Sequence, residues 1–176
     1  MMLLVLLFTL LQLLFTTMAT NPSPKPRYLN LTAISAKNGA STIECWRLAS
    51  PFKTASDAGV SGASLAQLGK TGSTSYTLIP ARFDGGLHNA PTVQYVAFLS
   101  GTAVVSVPGS RQAATIKGGR DGLIIAADTA DVSKQGHGTK YPSGEQTIAI
   151  QIPTEDGKVP AHTVLYAGPC RKEDSP

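Results

Sequence analysis

Gly85-Gly86-Leu87-His88-Asn89-Ala90-Pro91-Thr92-Val93-Gln94-Tyr95-Val96-Ala97-Phe98-Leu99-Ser100-Gly101 is the stretch whose reading decides the fold. A glycine pair and a histidine lead through Pro91 into a run rich in β-branched and aromatic residues, Val93 to Leu99, which a Ser-Gly turn closes. A second run of the same kind, Thr102 to Val107, begins at once, as in an antiparallel hairpin. The period of two puts Gln94, Val96 and Phe98 on one face of the first strand, with Val93, Tyr95, Ala97 and Leu99 on the other. Both faces are mostly apolar, so the strand belongs inside a sandwich or barrel. Gln94 is then an amide on an apolar face, and it needs partners if it is buried. His88 stands just before the strand and can approach Gln94 across the bend at Pro91.

Outward from this stretch the same grammar repeats. Strands are predicted at Tyr28 to Ile34, Thr42 to Leu48, Tyr76 to Ile79, Ala113 to Lys117, Leu123 to Ala127, Gln146 to Ile152 and His162 to Ala167. Clusters of Gly, Pro, Ser and Asp separate them, with turns expected at Pro108-Gly109, Lys117 to Gly122, Lys134 to Gly138 and Thr154 to Gly157. No window sustains a helical period. Pro51 to Thr74 is rich in Ser, Ala, Gly and Thr, and reads as a long loop with at most one helical turn near Ser64 to Leu68. Such a loop is a lid or a surface excursion, and its lack of aromatic anchors favours the excursion. Many short strands with Gly and Pro punctuation imply an antiparallel all-β sandwich or barrel.

A chain of 176 residues has room for one domain with a real core. Met1 to Phe15 is almost entirely Leu, Val and Phe, no charge occurs before Lys25, and Thr17-Met18-Ala19 supplies small residues for cleavage. Residues 1–19 therefore read as a secretory signal peptide, cleaved after Ala19. The apolar run is short for a bilayer span and lacks a basic flank, so the cleaved protein is expected to leave the membrane. Residues 20–27 form a Pro-rich polar leader, 28–170 the folded domain, and 171–176 a charged tail expected to fray.

Secretion gives meaning to the two cysteines. Cys45 and Cys170 are the only pair, and an oxidising compartment suggests a disulfide between them, with two buried free thiols as the alternative. Asn30-Leu31-Thr32 is a glycosylation sequon, whereas Asn21-Pro22-Ser23 is excluded by its proline. The net charge is +4, but the 15 Lys and Arg residues are scattered without runs or interleaved aromatics, which argues against a nucleic-acid partner.

Returning to the opening stretch, the pattern Gly, His, spacer, amide, six residues, Gly resembles the first cupin motif, G-x5-H-x-H-x3/4-E-x6-G. His88 matches the first His, Gln94 stands at the Glu position and Gly101 at the closing Gly; Ala90 replaces the second His. Gly122 to Thr129 resembles the G-D-x-L-L-x-x-D-T opening of the second motif in small single-domain cupins of fungi and bacteria. Gly136-His137 follows, as a Gly-His does in those proteins, with a few extra residues intervening. The resemblance covers roughly Tyr76 to Ile152. It implies a cupin-like double-stranded β-helix, that is, a jelly-roll barrel of the secreted fungal type with a degenerate metal motif.

Cupins host many chemistries, so the resemblance does not select one. It implies His88, Gln94 and His137 as the site; His162 in the last strand is a candidate third nitrogen that the spacing does not require, and Asp84, Asp128, Asp131 and Tyr141, which flank the two motifs in sequence, are the candidate assistants. The leading expectation is a small, largely apolar metabolite bound in the barrel, with a non-oxidative isomerisation, cyclisation or lyase step driven by histidine acid–base chemistry. A secreted binding protein or effector without turnover is the alternative. The lesser alternative is a dioxygenase-like enzyme whose Fe, Mn, Zn or Ni is held by His88, Gln94 and His137; two imidazoles and a neutral amide offer such an ion little charge. No other cofactor is expected. Because cupins often pair, a homodimer is a candidate assembly.

Overall fold

A computed structural model describes residues 25–175. The predicted signal peptide, residues 1–19, and most of the Pro-rich leader lie outside the described residues. Strands β1 (Tyr28–Lys37), β2 (Ala40–Pro51), β3 (Lys53–Thr54), β4 (Ser64–Leu65) and β5 (Ser75–Ile79) come first in the chain. They are followed by β6 (Phe83–His88), β7 (Gln94–Ser100), β8 (Thr102–Ser106), β9 (Ala113–Lys117), β10 (Leu123–Ala126), β11 (His137–Tyr141), β12 (Thr147–Pro153) and β13 (His162–Ala167). Among the described residues only two short 3-10 turns, Glu155–Gly157 and Lys172–Asp174, interrupt the β-structure. No helix among the described residues is long and apolar enough to cross a membrane.

Two sheets carry the architecture. The larger has seven strands in the order β13-β2-β1-β10-β7-β12-β5, and the smaller has four in the order β6-β11-β8-β9. Neighbours pair antiparallel except β1 and β10, which run parallel with Thr32 opposite Ile124. The sheets pack as a sandwich, consistent with a jelly roll; barrel closure, part of the expectation, is not seen among the described residues.

The apolar layer between the sheets joins Ile34, Val96, Phe98 and Ile124 of the large sheet to Ala103, Val105, Ala114 and Ile116 of the small one. A second layer lies on the outer face of the large sheet and contains Leu31, Ala33, Trp46, Leu48, Val93, Tyr95 and Ile125. Strand β7 serves both layers, which explains why neither of its faces reads as polar. Truncating a large apolar side chain in such a layer to Ala typically costs about 3–5 kcal/mol, so β7 is the wall on which both halves of the core depend.

Part of the outer layer is covered by the long segment after β2. Leu68 packs against that cluster, and the Tyr95 hydroxyl donates to the Leu68 carbonyl at 3.2 Å. The segment is thus a fixed cover, neither a lid over the inter-sheet space nor a free excursion. The helical turn near Ser64 to Leu68 does not form; Ser64–Leu65 is extended and pairs with β3.

Besides the two-residue strands β3 and β4, the strands β6 and β11 are not marked by the sequence pattern. Both are short, polar and glycine-bearing, and they are stabilised by pairing with each other: His137 stands opposite His88 and Gly138 opposite Leu87. They have no apolar alternation of their own to reveal them. Gly101 closes β7 onto β8 with φ of 76°, and a Cβ there would fall 2.2 Å from Thr147 Oγ1. The closing glycine is thus required by a left-handed turn and a close approach together.

Cys45 and Cys170 form a disulfide. The tail beyond it does not fray. Asp174 accepts from the Tyr166 hydroxyl and from the Arg171 backbone N–H, the latter at 2.7 Å, while Asn30 donates to the Asp174 carbonyl at 2.8 Å. The disulfide closes a loop with a sequence separation of 125, for which the chain-entropy argument gives a ceiling of about 5 kcal/mol. Cys45→Ala/Cys170→Ala is accordingly expected to lower the unfolding free energy measured by urea denaturation by several kcal/mol, and reductant should affect only the parent protein.

Candidate functional site

The fold brings His88 and His137 together from two elements that lie far apart in sequence. Antiparallel pairing of β6 and β11 sets their rings with centroids 4.4 Å apart at 57°. Gly136 makes the approach feasible. It has φ of 67°, and a Cβ on it would lie 2.1 Å from the His88 carbonyl oxygen. Only glycine fits there. His137 is buried and His88 is exposed, so the pair runs from the interior to the surface.

His137 is held by a group that follows β10. Its Nδ1–H donates to Asp128 Oδ2 at 2.8 Å, so in the neutral ring Nε2 is the nitrogen that carries the free lone pair. Asp128 is fully buried, and its Oδ2 also accepts from the Ser41 hydroxyl at 2.6 Å. Ser41 and Ser133 hydroxyls lie 2.8 Å apart, and the Gly136 N–H donates to Ser133 Oγ at 3.1 Å. With Ser41 donating to the carboxylate, the Ser133 hydroxyl donates to Ser41. The chain therefore runs in one direction, from Gly136 through both serines to Asp128, and each link polarises the next. The Asn89 amide fastens it to the β6 side by donating to the Asp128 and Ser133 carbonyls, each at 2.9 Å.

His88 Nδ1–H donates to the Gly86 carbonyl at 3.2 Å, so its Nε2 also keeps its lone pair. Desolvation, then the neighbouring His137, push its pKa below the ordinary imidazole value, against smaller opposing effects of the Gly86 carbonyl and Asp128. His88 is thereby kept as a neutral base.

Both histidines line a cavity of about 100 Å³ between the sheets, together with Gln94, Phe98, Val105 and Tyr141. Gln94 is buried and makes no side-chain hydrogen bond among the described residues. Its amide is thus free for a guest. Tyr141 has its pKa raised by burial and stays a neutral hydroxyl. A second cleft, of about 200 Å³, is lined by Ser41, Lys134 and Gly136, so the buried chain has solvent-side contact at its serine end and the histidine cavity at the other.

Of the other residues singled out by sequence, His162 is remote. It stacks on Trp46 with centroids 3.5 Å apart, and its Nδ1 meets the Pro160 carbonyl at 2.8 Å. Asp84 is exposed and pairs with Gly86 N–H and Lys140. Asp131 is exposed and accepts from Thr129. Neither reaches the cavity. Asn30 sits within β1, where its side-chain Oδ1 also accepts from Arg47 Nε at 3.2 Å. Ser41, Ser133 and Asn89 were not anticipated, because Ser and Asn near turns carry no mark of a buried partner.

A divalent ion fits this donor set poorly. No third His, Cys, Asp or Glu joins His88 and His137 in a cluster among the described residues, and the one nearby carboxylate oxygen bonded to the site, Asp128 Oδ2, already accepts two hydrogen bonds. The single triad of such atoms found, Cys45, Cys170 and Asp174, contains the disulfide, whose sulfurs are not thiolates.

Fold and site together define a two-sheet all-β protein with a carboxylate-oriented histidine pair at one end of its inter-sheet cavity. Compared with family models, curated proteins and solved structures, the chain matches none.

Two outcomes are expected. The His88 ring, followed by NMR through its titration, should have a midpoint below 6.5. A depressed value means that the unfolded chain binds the proton more readily, so stability should fall as pH drops through the window just below 6.5, less so in His88→Asn. Gly136→Ala should disrupt the β6–β11 pairing, read as faster amide exchange at residues 86–88 and 137–139.

Proposed function

We propose that this is a secreted cupin-like protein that takes a small, largely apolar molecule into the inter-sheet cavity and moves a proton on it. The reaction class is a non-oxidative isomerisation, cyclisation or lyase step. The observation that carries the reading is the buried run from Ser41 through Asp128 to His137, ending beside His88 in a cavity that is otherwise mostly apolar.

The roles follow from the hydrogen bonds. Asp128 holds His137 in the tautomer whose Nε2 is a base, and stabilises the imidazolium formed when it takes a proton. His88, kept neutral, is placed to return or relay that proton. Gln94 offers an unpaired amide to orient a polar end of the guest. A cavity of about 100 Å³ lies below the usual range of about 300–1,000 Å³ for ligand pockets, so the guest is small or enters as side chains at the His88 end shift. The cupin-like motifs support the fold-family reading. The apolar leader and the disulfide support secretion, and glycosylation at Asn30 belongs with it. A metal-dependent dioxygenase is less well supported, because two neutral imidazoles and an amide do not offset a divalent charge.

The test uses protein purified from a secreting host. Native mass spectrometry is expected to show the chain without residues 1–19, with the disulfide, and with a copurified small molecule. Incubated in D₂O, the wild type should place deuterium on a carbon of that molecule; His137→Ala should not, and Asp128→Asn should do so at least tenfold more slowly. A molecule retained without exchange or conversion would identify a binding protein instead. Stoichiometric metal required for conversion would favour the dioxygenase reading.

A further inference from the structure

A cavity larger than the histidine cavity lies elsewhere in the described residues. It holds about 450 Å³ and opens where β9 of the small sheet meets the start of β1, with the disulfide-bonded tail along one side. It shares no lining residue with the histidine cavity. Both cavities draw on β1 and β10, but this one uses residues 29–32 and Leu123, the other Ile34, Ile124 and Ala126. Because β1 and β10 run parallel in register, the two spaces lie at different levels along the same pair of strands.

The lining has two characters. Leu29, Leu31, Ile116, Leu123 and Pro169 make an apolar body, while Lys117, Arg120, Arg171 and Lys172 bring cationic side chains to the same space. Asp121 is the one carboxylate in the lining, and it already accepts from the Ser175 hydroxyl at 2.7 Å. Arg171 lies over the Tyr166 ring at 5.0 Å and is 4.0 Å from Glu173. Lys117 and Lys172 make no ion pair among the described residues. These cations come from a strand end, a turn and the tail. In a chain whose total charge is +4, their convergence on one cavity concentrates the excess that looks scattered along the sequence.

Like charges gathered beside an apolar surface repel one another and gain from a neutralising partner. A purely hydrophilic anion would leave the apolar body unused, and a neutral hydrocarbon would leave Lys117 and Lys172 without a counter-charge. The volume lies within the usual range for ligand sites. From this we infer that the cavity is a second ligand site, selective for amphipathic organic anions: an aliphatic or aromatic carboxylate, sulfate or phosphate monoester with its apolar part against Leu29, Leu31 and Leu123 and its head among Lys117, Arg171 and Lys172. The site stands apart from the proton-transfer reading, since no side chain serves both.

The experiment titrates disulfide-intact, endoglycosidase-treated protein with decanoate below its micelle-forming concentration, followed by amide NMR and calorimetry. Saturable one-to-one binding is expected, with shifts at residues 29–32, 115–117, 120–123 and 169–172 and none at 88, 94 or 137. Decan-1-ol and decyltrimethylammonium should bind at least tenfold more weakly. Raising the salt from 0.05 to 0.5 M should weaken decanoate several-fold through screening. Lys117→Glu/Lys172→Glu should weaken it at least tenfold; if that variant fails to fold, the salt and head-group comparisons on the wild type decide alone. Equal affinity for the three probes, shifts centred on His88 and His137, or no saturation at millimolar decanoate would each overturn the inference.

Discussion

A carboxylate shut away from water must be paired, and the pairing of Asp128 organises one end of this molecule. Its Oδ2 takes hydrogen bonds from Ser41 on β2 and His137 on β11, while its backbone carbonyl takes one from Asn89, just after β6. The two sheets are thus tied by a polar group as well as by the apolar layer between them. Oδ1 is buried without a partner among the described residues. Removing the carboxylate would leave the Ser41 hydroxyl and the His137 Nδ1–H without their acceptor, and removing the ring would leave Asp128 with the Ser41 bond alone, which makes this network costly to change piecemeal.

Strand β7 supplies the complementary apolar constraint. Val96 and Phe98 pack between the sheets, Tyr95 and, just before the strand, Val93 on the outer layer, and the segment around Leu68 seals part of the latter. Because one strand is a wall for both layers, the inter-sheet space cannot be widened without disturbing the outer one. The histidine cavity is correspondingly small. The larger cavity forms instead where β9, the start of β1 and the tail meet, with the Cys45–Cys170 disulfide anchoring the tail beside it.

The chemistry of the histidine pair is set by its acceptors. Both Nδ1 atoms donate, His88 to the Gly86 carbonyl and His137 to Asp128. Two imidazoles and an amide offer little charge to offset a divalent ion. The carboxylate contributes from behind the ring, where it sets tautomer and charge.

The strand run from Val93 to Leu99, its double-faced apolar character, the closing Gly101 and the pair Cys45 and Cys170 could all be read from residue types and spacing, since each rests on local periodicity, turn geometry or a residue count. His88, Gln94 and His137 were legible as candidates, and they do meet at one cavity. Asp128 was visible only as one of several neighbours, and Ser41, Ser133 and Asn89 not at all, because hydrogen bonds across 87 or 92 residues leave no pattern in the chain. Strands β6 and β11 were missed for a related reason: each is polar and glycine-bearing, and is extended through pairing with the other. The convergence of Lys117, Arg120, Arg171 and Lys172 was equally hidden, since cations spread along a chain say nothing about which of them tertiary packing gathers. Local sequence determined the β-strands and their turns; only the packing of two sheets decided which side chains became a site.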